Sequence, residues 1–278
     1  MNDVWEVYAL KYAERLERTR SESFVFDPAD DHLSPHPMDY FVWVLQNGSE
    51  TIVVDTGYDA DEGARRGRPI LADPVEVLRD FGVEADTVKT VIVTHLHYDH
   101  AGTLDRFPHA KFHLQAAEMA YATGPCMCHD ALQMPFTVAH VCEMVRHVYS
   151  GRVVFYDGDA EVVPGVEVAA IGGHSRGLQA VRVKTTAGWL VLASDASHYY
   201  ENFLTHTLFP IVVDAEDMLA GFGRLETLAT ERSLIVPGHD PLVRQIFPHV
   251  AGPRDGASIH RLDAPLVRQP VEVLGKLW

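Results

Sequence analysis

A dense cluster of metal-ligating side chains, His95-Leu96-His97-Tyr98-Asp99-His100, limits what this chain can fold into more than any other feature. The cluster follows the apolar residues 90–94 and precedes Ala101-Gly102, as if a buried strand ended there in a turn. Alternation along an extended chain places His95, His97 and Asp99 on one side and leaves His100 out of phase. A surface loop would explain one histidine, but three imidazoles beside a carboxylate indicate metal binding. Two ligand sets that face different directions suit two adjacent ions better than one.

Three residues further along the chain repeat one local pattern, in which an apolar run and a small residue or turn precede a ligand. His174 follows residues 166–170, Asp195 follows residues 189–193, and His239 follows residues 234–236. The chain has 16 histidines, and most of those that lack the pattern are interpreted as surface or packing residues. Histidines without it include His109, His113, His129, His140, His147, His206, His249 and His260. The predicted metal ligands are therefore His95, His97, Asp99, His100, His174, Asp195 and His239.

The order of these residues resembles the metallo-β-lactamase superfamily. The match consists of the H-x-H-x-D-H motif at residues 95–100, followed by His174, Asp195 and His239. Asp55-Thr56-Gly57, after the apolar residues 51–54, also resembles the early Asp-Thr-Gly segment of that family. The resemblance spans roughly residues 41–239. It implies an α/β fold, the αββα metallo-β-lactamase sandwich, in which two mixed β-sheets are flanked by helices and the metals lie at one sheet edge.

The length of 278 residues fits one large α/β domain, and we expect a single domain over residues 1–278. Residues 1–40 should form a strand and a loop that covers the site, and residues 252–278 a C-terminal tail with little pattern. Residues 59–70 are expected to be irregular. Asp73-Pro74 and Gly82 are typical of a helix start and stop. Further helices are predicted at residues 115–123, 138–148 and 214–229, the second with Val138, Val141, Cys142, Val145 and Val148 on one face.

Composition narrows the range of partners and compartments. A net charge of −16 argues against nucleic acid, which requires a basic surface. No apolar stretch approaches a membrane span, and the acidic N-terminus does not resemble a signal peptide. Three cysteines do not form a disulfide framework, which favours the cytoplasm. The expected partner is a small lactone or ester, with no nucleic acid and no membrane, and a homodimer stays open.

The resemblance also implies two divalent metal ions, with Zn²⁺ expected. His95, His97 and His174 would hold one ion, Asp99, His100 and His239 the other, and Asp195 would bridge them. Zinc lowers the pKa of bound water to about 7, so a metal-bound hydroxide is expected to attack a carbonyl carbon. Asp99 would also accept a proton in the tetrahedral step. The implied activity is that of a metal-dependent hydrolase.

Within the superfamily, the pattern is most similar to the N-acyl-homoserine lactonases, which quench quorum sensing, and to pyridoxolactonase-like enzymes. Those lactonases carry a tyrosine three residues after the bridging aspartate, where it hydrogen-bonds the substrate carbonyl. This chain has His198 at that position, followed by Tyr199. We expect lactone-ring opening, possible substrates including N-acyl-homoserine lactones, with His198 or Tyr199 in the tyrosine's role. Candidate substrate-lining residues are Met38, Tyr40, Phe136 and Arg176.

Two alternatives to a lactonase remain open at this stage. A thioester hydrolase of the glyoxalase-II type would use the same ligands, although the tail after His249 lacks a strong helical pattern. A non-catalytic, metal-loaded ligand-binding protein is the second alternative. Retention of all seven ligands argues modestly against it, because a degenerate binding protein would more often have lost some of them.

Overall fold

The computed structural model describes residues 3–27, 31–48, 50–251 and 256–278. Many of its strands are near-continuous apolar runs, as expected for strands that are buried on both faces. In chain order the strands of the described residues are β1 Glu6–Arg15, β2 Met38–Asn47, β3 Glu50–Val54, β4 Thr90–Ile92, β5 Lys111–Gln115, β6 Val153–Tyr156, β7 Ala160–Val163, β8 Val166–Ala170, β9 Gln179–Thr185, β10 Gly188–Ser194, β11 Ile235–Pro237, β12 His249–Ala251 and β13 Ser258–Arg261.

The strands form two sheets. The larger sheet has the order β12-β13-β1-β2-β3-β4-β5-β6, and the smaller sheet has the order β11-β10-β9-β8-β7. Both sheets are mixed, since β3 to β6 pair in parallel beside antiparallel neighbours, and β11 joins the antiparallel β10-β9 pair in parallel. The predicted arrangement of two mixed sheets flanked by helices is confirmed.

Helices cover the outer faces of the two sheets. Among the described residues, no helix combines the length and the apolar character that a membrane span requires. The α-helices are α1 Ala60–Arg66, α2 Pro74–Phe81, α3 Ala116–Ala122, α4 Asp130–Gln133, α5 Val138–Tyr149, α6 Tyr200–Thr205, α7 Ala215–Leu228, α8 Val243–Ile246 and α9 Val271–Leu274.

Side-chain alternation along β2 divides the core into two layers. Phe41, Trp43 and Leu45 face the smaller sheet, in a cluster that includes β8, β9 and β10 and extends to α6 and α7. Val42 and Val44 point the opposite way, into a second cluster beneath α2 and α5. Because successive residues of a strand point to opposite faces, one apolar strand serves both layers. Strand β2 is therefore packed on both faces, against the smaller sheet on one side and against helices on the other.

Three sequence-based expectations need correction. Residues 59–70 are not irregular throughout, because α1 lies within them and is capped by Asp59, which accepts a hydrogen bond from the backbone N–H of Glu62. The predicted buried face of α5 is partly wrong: Val138 and Cys142 are exposed, and Met144 and His147 are buried. The C-terminal tail does have structure, since β13 pairs with β1 in the larger sheet.

Candidate metal centre

The predicted ligands lie at one edge of the sandwich because the strands that precede them end there. In the smaller sheet β8 and β10 are both antiparallel to β9 and so run in the same direction, and β11 is parallel to β10. Their carboxyl ends lead to His174, Asp195 and His239. In the larger sheet β4 leads to the 95–100 segment, beside the parallel strand β3. Four separate segments therefore deliver their side chains to one place.

The seven predicted ligands form two adjoining groups of buried residues. One group contains His95, His97, His174 and Asp195, and the other contains Asp99, His100 and His239; within each group the candidate ligand atoms lie within 4.8 Å of one another.

The two oxygens of Asp195 face different groups. Oδ2 lies 3.1 Å from Nε2 of His174 and 3.8 Å from Nε2 of His95. Oδ1 lies 3.0 Å from Nε2 of His239 and 3.3 Å from Nε2 of His100. A carboxylate in this position can bind two cations at once, one through each oxygen.

The outer nitrogens of three histidines are held by hydrogen bonds, which leaves the inner nitrogens facing the centre. His100 Nδ1 lies 2.7 Å from Asp55 Oδ2, and Nδ1 of His174 lies 2.7 Å from the carbonyl oxygen of Ile211. His239 Nδ1 lies 2.8 Å from the carbonyl oxygen of Asp39. Metal-bound histidines typically donate their second N–H in this way. Nε2 of His95 is buried without a hydrogen-bond partner in the described part of the chain, so these residues fit a pair of divalent cations.

The electrostatics of the centre favour cation binding. Burial lowers the pKa of His95 and of His97, and repulsion from neighbouring imidazoles lowers both further. Burial would raise the pKa of Asp195, but the surrounding histidines hold it well below the usual range. Burial would also lower the pKa of His100, but Asp195, Asp55 and Asp99 hold it well above the usual value. Neutral His95 and His97 and ionised Asp195 are in the forms that bind divalent metals. The carboxylates around His100 favour positive charge at that position, which a proton or a bound metal cation can supply.

Strained backbone at two strand ends supports the centre. Asp55 and Ser194 have φ angles of 59° and 48°, in the left-handed region that non-glycine residues seldom adopt. Oδ1 of Asp55 accepts a hydrogen bond from the backbone N–H of Thr94 at 2.7 Å, and the Thr94 hydroxyl lies 2.8 Å from that of Ser194. A Cβ on Gly238 would lie 2.8 Å from Oδ1 of Asp195, so only glycine fits beside the bridging position. Such outliers are typical of functional sites.

Two buried carboxylates that support the ligands are absent from the predicted site. Asp55 was recognised only as part of the Asp-Thr-Gly segment, although it contacts His100 directly. Glu118, in the first turn of α3, accepts hydrogen bonds from the backbone N–H groups of Leu96 and Gly177. It thereby joins the two loops that carry His95, His97 and His174. A strand-end position could have indicated Asp55, whereas nothing in the sequence distinguishes Glu118 from a surface residue of a helix.

The structure separates the two candidates for the carbonyl-binding role. Nε2 of His198 lies 2.9 Å from Oδ2 of Asp195, and its ring stacks on Phe209 with a centroid distance of 3.7 Å. The hydroxyl of Tyr199 instead donates a hydrogen bond to the carbonyl oxygen of Pro37, and its ring packs against His36. His198 therefore adjoins the candidate metal centre, whereas the Tyr199 side chain points away from it.

The four candidate substrate-lining residues have different surroundings. The Phe136 ring lies 4.6 Å from that of His97, and the Tyr40 ring 5.1 Å from that of His239. Met38 is buried, with its sulfur 3.2 Å from a guanidinium nitrogen of Arg18. Met38 and Tyr40 belong to β2 and not to a covering loop, and part of that predicted loop lies outside the described residues. Arg176 is exposed.

Comparisons with known proteins agree with this geometry. A family model described as the metallo-beta-lactamase superfamily matches residues 37–239. An N-acyl homoserine lactonase of Bacillus cereus is 32% identical over 217 residues, which cover 72% of this chain and 81% of that protein.

Solved structures share the fold. An N-acyl homoserine lactone hydrolase with the product N-hexanoyl-L-homoserine bound at its catalytic metal centre superposes with a TM-score of 0.71 at 24% identity, over 87% of this chain and 96% of that one. AidC, a dizinc quorum-quenching lactonase, superposes with a TM-score of 0.67 at 16% identity, over 95% of each chain.

Proposed function

Since this chain belongs to the metallo-β-lactamase superfamily, we propose that it is a dinuclear-metal hydrolase that opens a lactone ring. The observation that carries the proposal is the buried set of seven donors in which Asp195 turns one oxygen toward each group. The similarity to the N-acyl homoserine lactonase of Bacillus cereus supports the lactone class, with N-acyl-homoserine lactones as candidate substrates.

Each group of donors would hold one metal ion. His95, His97 and His174 would bind the first ion and Asp99, His100 and His239 the second, with Asp195 shared between them. Two divalent ions, with zinc expected from this imidazole and carboxylate donor set, would supply a water of lowered pKa and polarise the ester carbonyl. AidC, which shares this fold, is a dizinc lactonase, in agreement with this choice of metal.

The protein's own side chains would position the ester and move its protons. Asp99 is buried beside the second group, with Oδ2 3.8 Å from Nε2 of His239. Its carboxylate can take the proton that the attacking water loses and return it to the ring oxygen after the carbon–oxygen bond breaks. That cycle consumes one water and leaves a hydroxy acid, without an external acid.

His198 would take the place of the lactonase tyrosine at the substrate carbonyl. Burial lowers the pKa of His198 to about 3, against the opposing effect of Asp195, so the ring is neutral at pH 7. A neutral imidazole carries one N–H, and Nε2 of His198 lies 2.9 Å from Oδ2 of Asp195. Once that oxygen binds a metal ion, the N–H would be free to donate to the oxygen that becomes negative in the tetrahedral state. The stacked Phe209 ring fixes the plane of the imidazole and hence the direction of this donor.

A panel of substrates on zinc-loaded protein tests the proposal. Homoserine lactones should be hydrolysed much faster than β-lactams, because an ester oxygen leaves readily whereas an amide nitrogen needs a general acid. In the proposed cycle Asp99 returns its proton only after the bond breaks, which serves an ester oxygen. An amide nitrogen that is not protonated during cleavage would lose roughly 10²-fold or more in rate. The variant Asp195→Asn, which keeps the shape of the side chain but loses its charge, tests the metal bridge on the same substrates.

The remaining outcomes separate the alternatives. Rapid cleavage of thioesters without lactone opening would favour the glyoxalase-II type of hydrolase. Tight binding of lactones without turnover by metal-loaded protein would favour a non-catalytic binding protein. Full activity of Asp195→Asn, or of metal-free protein, would refute the dinuclear centre.

A further inference from the structure

A small apolar pocket opens directly onto the first group of donors. Its volume is about 170 Å³, and His97 and His174 form part of its wall. Apart from Tyr121 of α3, the rest of the lining comes from two segments, one around α4 and one between α6 and α7. It includes Ala131, Leu132, Met134, Pro135, Ile211 and Val212.

The lining of this pocket is uncharged. Apart from the two histidines, the described residues that line it carry no ionisable group except the phenol of Tyr121. Leu132, Ile211 and Val212 are only half-buried, and Met134 is 51% exposed, so apolar surface stays open to solvent around the mouth. An open apolar patch beside a polar centre is typical of a ligand-binding site. A phosphate or carboxylate group would find no cationic partner there.

The proposed reaction orients the substrate toward this pocket. The carbonyl carbon of a lactone is bonded to the ring oxygen and to the α-carbon, which lie on opposite sides of it. If the ring oxygen leaves toward Asp99, His100 and His239, the α-carbon faces His97 and His174. A substituent on the α-carbon then enters the pocket next to these two histidines.

A second and larger cavity is an alternative site for this substituent, so the orientation can be tested. It has a volume of about 980 Å³, and its wall includes Phe136, whose ring packs on His97, and Met134, which also lines the small pocket. Its lining includes Glu62, Arg65 and Arg66, and none of the seven candidate ligands is among the described residues that line it. The two cavities therefore differ in size, in charge and in access to the metal centre.

We propose that the small pocket binds the acyl substituent of the lactone and limits it to a short, uncharged chain. This inference rests on the proposed lactonase function. At roughly 30 Å³ per small group, as for one water molecule, a pocket of this size holds roughly five or six non-hydrogen atoms. An acyl chain of about four carbons fills it with the amide group inside, and one of about six carbons fills it with the amide group at the mouth. Leu132 and Val212, from its two segments, determine the length of chain that fits.

A chain-length series tests this assignment. Values of kcat/KM would be measured on zinc-loaded protein for unsubstituted γ-butyrolactone and for N-acyl-homoserine lactones with acyl chains of four to twelve carbons. We expect a maximum at about four to six carbons. Leu132→Ala should move the maximum to longer chains. Leu132→Trp should lower kcat/KM for the four- and six-carbon substrates by roughly tenfold or more relative to γ-butyrolactone, as one methylene group in an apolar pocket can do.

Controls distinguish a filled pocket from a damaged fold. Val212→Phe narrows the same pocket from the opposite segment and should reproduce the effect of Leu132→Trp. Leu277→Trp adds the same bulk to a partly exposed leucine in the C-terminal segment and should keep the wild-type profile. Metal content and the thermal midpoint would be measured for every variant.

Three results would overturn the assignment. A maximum at ten or more carbons would place the chain in the larger cavity. A flat profile that no Leu132 variant changes would leave the chain in solvent, while the lactonase function would still stand. Turnover of no lactone at all, including γ-butyrolactone, would overturn the proposed function together with this inference.

Discussion

Replacement of Glu118 tests whether one buried carboxylate holds together the two loops of the first ligand group. Its Oε1 accepts a hydrogen bond from the backbone N–H of Leu96 at 2.9 Å. Its Oε2 accepts from the hydroxyl of Ser175 at 2.5 Å and from the backbone N–H of Gly177 at 3.0 Å. Leu96 lies between two candidate ligands and Ser175 follows a third. The side chain is fully buried, so water does not replace these bonds readily.

The number of donors left without a partner sets the expected cost. Each unsatisfied buried donor costs about 1–3 kcal/mol. Glu118→Gln keeps one accepting oxygen, and its NH₂ group can donate to the Ser175 hydroxyl, so one backbone donor loses its partner. We expect a loss of about 1–3 kcal/mol in the free energy of unfolding. Glu118→Ala leaves three donors without an acceptor and adds a cavity, so the free energy of unfolding should fall by roughly 3 kcal/mol or more.

Urea denaturation of metal-free protein and zinc content after dialysis against a chelator measure the two consequences. Glu118→Gln should lower the unfolding midpoint and should lose zinc sooner than the wild type, because the loops of His95, His97 and His174 are less well fixed. Glu161→Gln, at an exposed position of β7, is the matched control. A wild-type midpoint and wild-type zinc retention in Glu118→Gln would refute the role assigned to this carboxylate.

Three further predictions concern other parts of the molecule. Asp195→Ala should reduce zinc from about two equivalents toward one and abolish most lactone hydrolysis. The control His109→Ala, at an exposed position, should change neither, and equal zinc contents of the two variants in elemental analysis would contradict the bridge. His198→Phe should lower kcat while zinc content stays at wild-type level, and unchanged kinetics would remove His198 from the carbonyl-binding role. Burial raises the pKa of Glu62, but hydrogen bonds from Arg65, Thr137 and Arg66 hold it at about 2. Since this is below the unfolded value, the stabilisation is present above about pH 4.3 and is lost as pH falls toward 2. The difference from the unfolded pKa corresponds to roughly 3 kcal/mol, which solvent screening of the exposed Arg65 reduces to roughly 2 kcal/mol. Glu62→Gln should therefore cost roughly 2 kcal/mol in urea unfolding at pH 7 and less at pH 3, and a pH-independent difference would contradict the ion pair.

Elements with local signals were predictable from the sequence. Asp73 accepts hydrogen bonds from the backbone N–H groups of Val75 and Glu76, and Gly82 ends α2 with a φ of 99°. Both helix caps involve residues within a few positions of each other, so the sequence alone specifies them. The ligand cluster was predictable for the same reason, since each candidate directly follows an apolar strand.

Elements that depend on distant partners were not predictable. The sequence of α1, Ala-Asp-Glu-Gly-Ala-Arg-Arg, has no apolar stripe, and its buried Glu62 bonds to Thr137 far along the chain. Strand β13 forms because Ile259 pairs with Leu10 of β1. The face of α5 was misjudged because four valines and a cysteine outweighed Met144 and His147 in the pattern. His147 is buried because its ring stacks on Phe112, with the planes 8° apart.

The supports of the candidate ligands were hidden for a further reason, which bears on how the site can vary. The Nδ1 atoms of His239 and His174 are hydrogen-bonded to the backbone carbonyl groups of Asp39 and Ile211. Every residue has a backbone carbonyl group, so the sequence does not indicate which of them have this role. Ile211 takes part in both the metal centre and the small apolar pocket, because its carbonyl oxygen accepts a hydrogen bond from His174 and the residue also lines the pocket. A change of this side chain can therefore reshape the pocket without removing the hydrogen bond that orients the ligand. The metal centre and the proposed specificity pocket share a residue, yet they depend on different atoms of it, so substrate preference can change while the centre stays intact.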